Sequence, residues 1–541
     1  MMQFTKARCR IAPPGGAVAA ILLTLGMGVS SLMAGTSSVS AAAPAAAPAP
    51  VPAPSWEPGK PITFGDGLGV IDVQVRERFE DRDNWIDFNR QTHTRDGIGL
   101  LERIRLGMQL NPTKDITLYA QAQDSRTFAD HTAADGQGGA QAALQREFVT
   151  NDDPVALRQA YAKFSNIGCQ PVTLVAGRQV LSYGDERLVG GLDWDNNARV
   201  FDATKVTYKD PSSHYSVDVF AALPVIAQSK EFDMPDASDL FTGVYATTGD
   251  LIPHFNTDGY VFIRDKSKVT AMSTFENTNN QSQGNISAAG DYVTLGTRMT
   301  SKPKAFCNWD FAYEGALQLG EIVDPIGPTD IRLPNTAYAG AGTRYAGAIN
   351  TGRQRLVAGM SHVEGGYTFT TTCMTPRAFA MFDYASGDNN PTDSKSNTFQ
   401  NLFPTNHKFY GIQDRFALSN IEQGTIGVSC KPTPKLTLVA DWRNTWLDST
   451  NDVWRYANQA PLGNNTTRYG NALIKNPSNY VGSEAEVVGT YAYAKWAKIQ
   501  AGYSRFFAGD YIQQTAGSAV GAFTNIADDA NFAYTQIQFD F

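Results

Sequence analysis

Arg178, Arg187 and Arg199 stand in "GRQVLSYGDERLVGGLDWDNNARVFD" (177–202) with Asp185 and Asp193 interspersed among them. The chemistry such a set offers is anion binding. A guanidinium group stays charged at any physiological pH and can hold a carboxylate through two parallel N–H groups. The glycines between the charges allow an irregular backbone that could fold inward as a constriction. Asp185 and Asp193 would then hold the guanidinium groups apart. They would also keep the grip weak enough to release a passing solute.

Bond-making chemistry finds no comparable set. The six histidines (His93, His131, His214, His254, His362 and His407) show neither metal-site nor metalloprotease spacing, and no G-x-S-x-G occurs. His407, in "PTNHKFYG", reads as a loop-packing residue. "DWDNN" (193–197) and "DNNPTD" (388–393) have a composition shared by calcium-binding loops and by ordinary solvated loops. The expectation is a protein that is not an enzyme and carries no cofactor.

The elements that must position the arginines are strands. In "FCNWDFAYEGALQL", Cys307, Trp309, Phe311, Tyr313, Leu317 and Leu319 face one way. Asn308, Asp310, Glu314 and Gln318 face the other. Such a run exceeds a typical sandwich strand but suits a tilted strand crossing a bilayer. Short turns lie at 111–115, 166–171, 209–213, 301–304 and 431–435. Long Gly/Asn/Asp-rich stretches lie at 127–153, 227–256, 322–350, 387–406, 449–479 and 510–528. That asymmetry predicts an all-β transmembrane antiparallel β-barrel of about 18 strands, with short periplasmic turns and long extracellular loops. "AYTQIQFDF" is the closing strand, with Thr535, Ile537, Phe539 and Phe541 turned to lipid. Its terminal aromatic resembles the signal by which outer-membrane barrels are recognised for assembly.

A charge facing lipid costs roughly 2–4 kcal/mol at mid-bilayer, so arginines in strands belong in the lumen. "GVIDVQVRERFE" (69–80) places Arg76 and Arg78 inward, and "LLERIRLGMQL" places Arg103 and Arg105 inward. Arg377, Asp383, Asp441, Arg443, Glu484 and Glu486 join them from later strands. Such ladders also brace barrel walls, so each arginine has both a wall role and a channel role open to it. Glu77 and Glu102 fall on the outward series, which a bulge or a position above the lipid would explain.

Residues 1–43 read as a cleaved export signal: a basic start (Lys6, Arg8, Arg10), the apolar "AVAAILLTLGMGVSSLMA", then small residues. An extended Ala/Pro linker follows at 44–67, and the barrel occupies 68–541. Removing residues 1–43 moves the net charge from -8 to -11, because they hold three basic residues and no acid. That argues against a nucleic-acid partner. Of the five cysteines, Cys9 leaves with the signal. Cys169, Cys307, Cys373 and Cys430 all map near short turns. Cys373 begins one strand and Cys430 ends the next, which suggests a disulfide between them.

The 177–202 stretch resembles the signature of the alginate export family of bacterial outer-membrane barrels. "FDYASGDNNPTDSKSNTFQNLFPTNHKFYGIQDRF" (382–416) and "VGSEAEVVGTYAYAKWAKIQAGYSRFFAGDYI" (481–512) resemble two further parts of that family. The resemblance implies a monomeric 18-stranded barrel whose electropositive constriction passes an acidic polysaccharide. The matching charged residues here are Arg178, Arg187 and Arg199, with Asp185 and Asp193. The expected partners are outer-membrane lipid, the barrel assembly machinery and an anionic polysaccharide or oligosaccharide. The expected function is passive, anion-selective passage of an alginate-like polymer or its fragments. A general or small-solute porin of the same architecture, or a secreted soluble all-β binding protein, are the alternatives.

Overall fold

The computed structural model describes residues 59–84, 88, 97–132, 153–213, 215–228, 232–249, 251–267, 289–323, 353–390, 393–452, 454–455, 478–515 and 528–541. The export signal and most of the linker lie outside these residues. Ile62–Phe64, at the end of the expected linker, is a short strand paired with Gly69–Ile71.

Three of the 21 strands among the described residues are two- or three-residue pieces: Ile62–Phe64, Met234–Pro235 and Lys395–Ser396. The other 18 form the barrel. They are β1 Gly69–Asp83, β2 Gly97–Thr113, β3 Ile116–Thr132, β4 Asp153–Phe164, β5 Val172–Gln179 and β6 Phe201–Lys209. Next come β7 Ser216–Ile226, β8 Asp239–Thr248, β9 Phe255–Lys266, β10 Ala289–Ser301, β11 Trp309–Val323 and β12 Gln354–Thr368. The last are β13 Arg377–Ala385, β14 Ile421–Thr433, β15 Leu436–Trp446, β16 Tyr480–Ala494, β17 Ala497–Ala508 and β18 Ala530–Asp540. Each pairs antiparallel with its chain neighbours. β1 pairs with β18 from Gln74 opposite Asp540 to Asp83 opposite Asn531, which closes the sheet and leaves no edge for lipid to meet.

Alternation follows from that closure. The outward series of β2 carries exposed Ile98, Ile104, Leu106 and Met108, while Leu101, Arg103 and Arg105 are buried inside. At the short-turn end, aromatic side chains cluster outward. Trp309 lies 4.9 Å from Tyr367 and 6.3 Å from Phe311, and Trp496 stacks on Phe541 at 5.8 Å. These are girdle positions, where amphipathic rings meet the membrane–water interface.

Two expectations are corrected. The stretch 227–256 is not one loop: it contains β8, which is paired on both sides. Cys373 and Cys430 are free thiols, so no disulfide joins them. The β13–β14 ladder ends with Arg377 opposite Ser429, and Cys373 lies beyond it in the turn between β12 and β13. Glu77 and Glu102 are directly opposite each other in an unbroken register. No bulge rescues their parity. They lie on the outer face between Phe79 and Leu100 on one side and Val75 and Ile104 on the other.

Candidate functional site

Two long connections fold into the barrel instead of standing above it. One joins β5 to β6 (180–200) and the other joins β13 to β14 (386–420). Their centres meet. Val189 and Phe403 form a parallel bridge, and Gly190 N–H donates to Phe403 O at 2.8 Å. Phe403 N–H donates to Leu188 O at 2.8 Å, and the Thr405 hydroxyl donates to Glu186 Oε2 at 2.8 Å. A side chain at Gly190 would put its Cβ 2.5 Å from Thr405 Oγ1, so this approach requires glycine. Gly411, at φ +103°, turns the second loop against Glu484. Glu186, Leu192, Ala198, Asp414 and Asn420 also have left-handed φ. Such backbone persists in non-glycine residues only where its surroundings over-determine it.

Those surroundings are of two kinds. The walls of β6 to β9 turn Phe201, Phe220, Phe241, Tyr245, Tyr260 and Phe262 inward, against Leu181, Tyr183, Leu188 and Phe403 of the loops. The opposite wall is basic. Arg76 and Arg103 face each other across β1 and β2. Like charges so placed repel, and the tip of the first loop fills the space with oxygen. Arg76 Nη1 donates to Asp193 O at 2.6 Å and Arg103 Nη1 to the same oxygen at 3.0 Å. Arg103 Nη2 reaches Asp193 Oδ2 at 3.2 Å, and Arg105 Nη1 reaches Oδ1 at 2.8 Å. Arg158, from β4, lies 3.8 Å from the same carboxylate. Three guanidinium groups therefore converge on one carboxylate whose side chain is 55% exposed to the lumen, and a fourth, Arg76, holds the backbone carbonyl of the same residue. Burial pushes the Asp193 carboxyl up, but Arg103, Arg105, Arg76 and Arg158 outweigh it and hold it well below the usual carboxylate range. Arg158 Nε and Nη1 and Arg105 Nη2 are buried without a hydrogen-bond partner among the described residues.

Arg78 adds an aromatic stack. Its guanidinium lies 4.0 Å from the Trp194 ring, and His407 stacks on the other face at 3.7 Å with the planes 8° apart. His407 Nδ1 lies 3.0 Å from Asp414 Oδ2. One wall strand and both loops are thus held by a single sandwich.

The other arginines of the sequence motif take separate places. Arg187 is buried, with Nη1 2.6 Å from Asp383 Oδ1 and 3.2 Å from the Tyr410 hydroxyl, and its guanidinium carbon is 4.1 Å from the Phe409 ring centre. Arg187 N–H donates to Asp185 Oδ1 at 3.1 Å. Arg199 Nη1 donates to the carbonyls of Gly190 (3.0 Å), Pro404 (2.9 Å) and Phe403, tying the loops together. Arg178 stands opposite Ala160 and Asp202, on the series that faces away from the lumen. It holds Asp202 at 2.8 Å and the carbonyl oxygens of Leu157 and Asp233, both at 3.2 Å. Arg377 braces Asp310 and Glu364, and Arg443 braces Asp441 and Glu486. Glu484 is buried on the same wall, beside Gly411. Arg178→Ala is therefore expected to leave the reversal potential of the reconstituted channel unchanged. A shift comparable to that of a lumen arginine variant would contradict its outward placement.

A closed antiparallel barrel with an apolar, aromatic-ended outer face and a polar lumen narrowed by folded-in loops is an outer-membrane channel. Its architecture is that of a transport channel. Residues 70–524 match the alginate export family, and the chain belongs to it. The sequence matches no curated protein. Among solved structures it is similar to OccAB1 of Acinetobacter baumannii, with 12% identity and a TM-score of 0.50 over 87% of this chain and 96% of that one. It is also similar to a BenF-like porin of Pseudomonas fluorescens Pf-5, with 9% identity and a TM-score of 0.50 over 87% and 98% of the two chains. Pseudomonas aeruginosa OpdK, solved with vanillate, gives 10% identity and a TM-score of 0.50 over 87% and 98%. At these identities the likeness is one of fold.

Proposed function

We propose that the protein is an anion-preferring outer-membrane channel for an acidic polysaccharide or its fragments, acting as a monomer. The observation that carries this reading is the group of Arg103, Arg105 and Arg158 around the lumen-exposed Asp193 carboxylate, with Arg76 on the backbone carbonyl of the same residue. One Asp193 carboxylate does not neutralise the guanidinium groups around it, so surplus positive charge remains at the lumen. The mature chain is acidic as a whole. Permeation, however, responds to the narrowest section, where low-dielectric walls focus the field of a few charges. A uronate carboxylate fits a guanidinium in bidentate fashion, and Asp193, already seated there, would compete with it and promote release.

The test is a planar-bilayer reversal potential under a KCl gradient. The native channel is expected to prefer chloride. Asp193→Asn, which removes the competing charge, is expected to strengthen that preference, and Arg105→Ala with Arg158→Ala to weaken it. Cation preference in the native channel would overturn the proposal. Block by an acidic oligosaccharide, but not by a neutral one of equal size, separates polysaccharide passage from a general porin.

A further inference from the structure

Two groups of basic residues stand at different heights along the barrel axis. Arginine occupies the constriction, whereas lysine occupies the short-turn mouth, which faces the periplasm. Lys114, Lys163, Lys209, Lys304, Lys431 and Lys498 lie at that end, in or beside the turns after β2, β4, β6, β10, β14 and β16. All six are exposed. Among the described residues none of them makes an ion pair. Acids at the same end are engaged by neutral donors instead. Asn166 Nδ2 donates to Asp115 at 2.6 Å, the Ser213 hydroxyl to Asp210 at 2.7 Å, and Gln538 Nε2 to Asp540 at 2.9 Å. These carboxylates remain charged but fix no lysine, so the six ammonium groups stay free to meet a ligand and outnumber the three acids.

Strand parity shows which way these lysines lean. Lys163 follows Tyr161, whose ring is 5.3 Å from that of Tyr119, and the Tyr119 hydroxyl bonds to Asp72 inside the mouth. Lys209 continues the series of Phe201, Ala203 and Lys205, and Lys205 pairs inside with Asp218 at 3.5 Å. Lys498 shares the inward series of Gln500, Ser504 and Phe506. The outward positions at this end are taken by the aromatic girdle. Lys163, Lys209 and Lys498 thus lean toward the entrance, and the rings serve the lipid.

We propose that this lysine rim is a capture surface for an acidic polysaccharide arriving from the periplasm. The proposal rests on the reading of the lumen as a path for that polymer. Lysine suits capture as arginine suits the constriction. An ammonium group on a flexible stem is a strongly hydrated point charge that attracts at long range without the bidentate grip of a guanidinium. Lysine is also depleted from the buried centres of protein–protein interfaces, which disfavours a stably docked acidic protein. A ring of like charge around a low-dielectric mouth raises the local concentration of a polyanion and its rate of entry by roughly 10 to 1,000-fold at low ionic strength. It leaves the release rate to the arginines above.

The test uses the full-length channel in a planar bilayer of neutral lipid, with a polyuronate oligosaccharide as the probe. Cys307 and Cys373, exposed free thiols at the same end, report orientation when labelled by an impermeant reagent from one compartment. The blocking on-rate is expected to be about tenfold higher from the short-turn side than from the loop side, and to fall steeply with salt. Changing the six lysines to Gln is expected to lower that on-rate about tenfold, with the off-rate and the KCl reversal potential unchanged. Should the sixfold variant fail to insert, two threefold variants are expected to give intermediate on-rates. An unchanged on-rate in a folded variant would overturn the proposal. So would an effect of the lysines that appears only when anionic lipid is added, since the rim would then serve the membrane. Cation preference in the native channel would remove the reading of the lumen, whereas loss of side asymmetry alone would remove the rim.

Discussion

Arg187→Ala is expected to destabilise the barrel by about 3–5 kcal/mol, because it strips the partner from a buried charge. Asp383 is fully buried, and its Oδ1 is held by Arg187 at 2.6 Å and by His362 Nδ1 at 2.9 Å. Glu314, also buried, lies 3.9 Å from Arg187 Nε. Removing the guanidinium leaves two carboxyl groups facing a void. The first loop would lose its main polar tie to the β13 wall, together with the packing of Arg187 on Phe409. Asp383→Asn in the same background should recover part of the loss, because it removes the uncompensated charge. Thermal unfolding in detergent micelles, followed by heat-modifiable gel mobility, measures both variants. A single variant as stable as the native protein would show that the pair carries no net stability. Conductance gives a second readout. A loop released from Asp383 is expected to widen the lumen, so the variant that does insert should conduct more.

The legibility of this molecule in its sequence depends on whether the two faces of a strand differ. In β1, β2, β11 and β18 one face meets lipid and the other meets water or guanidinium groups. Period-two alternation places Arg76, Arg78, Arg103, Arg105 and the closing Phe541 directly. In β6 to β9 the contrast is lost, because the lumen face there is aromatic and buries the folded-in loops. Apolar residues then occupy both series. That hides β8 inside an apparent loop. Arg158 is obscured for another reason: the register of β3 and β4 shifts between Gln121 and Ala122, so simple alternation does not assign its face. The inward course of 386–420 has no periodicity at all. Its place is set by single contacts, such as the Trp194–His407 stack, between residues more than 200 positions apart. The two carboxylates Glu77 and Glu102 remain on the lipid face, and nothing in the structure accounts for their placement.

Removal of Phe541 is expected to abolish the folded barrel at native expression levels, whereas Phe541→Ala should only weaken it. The difference lies in the backbone. Phe541 N–H donates to Val73 O at 2.8 Å and Phe541 O accepts from Val73 N–H at 3.0 Å, forming the last rung of the seam between β1 and β18. Deleting the residue unpairs both Val73 groups at an edge that meets lipid. At this interfacial position the freed groups are only partly rehydrated, so the cost is at least the roughly 0.5–1.5 kcal/mol per bond typical of soluble proteins. Phe541→Ala keeps the rung and loses only the ring, which stacks on Trp496 at 5.8 Å and Phe539 at 6.2 Å. Such aromatic pairs contribute about 0.5–1.5 kcal/mol beyond their buried area. Phe541→Tyr should be close to native, since a phenol is equally at home in the interfacial girdle. The measurement is the amount of heat-modifiable protein in isolated outer membranes, with each variant expressed at the same dose. If the deletion and the alanine variant accumulate equally, the ring rather than the seam decides assembly. If the deletion accumulates as the native protein does, neither matters, and the barrel closes through the remaining rungs from Gln74–Asp540 to Asp83–Asn531 alone.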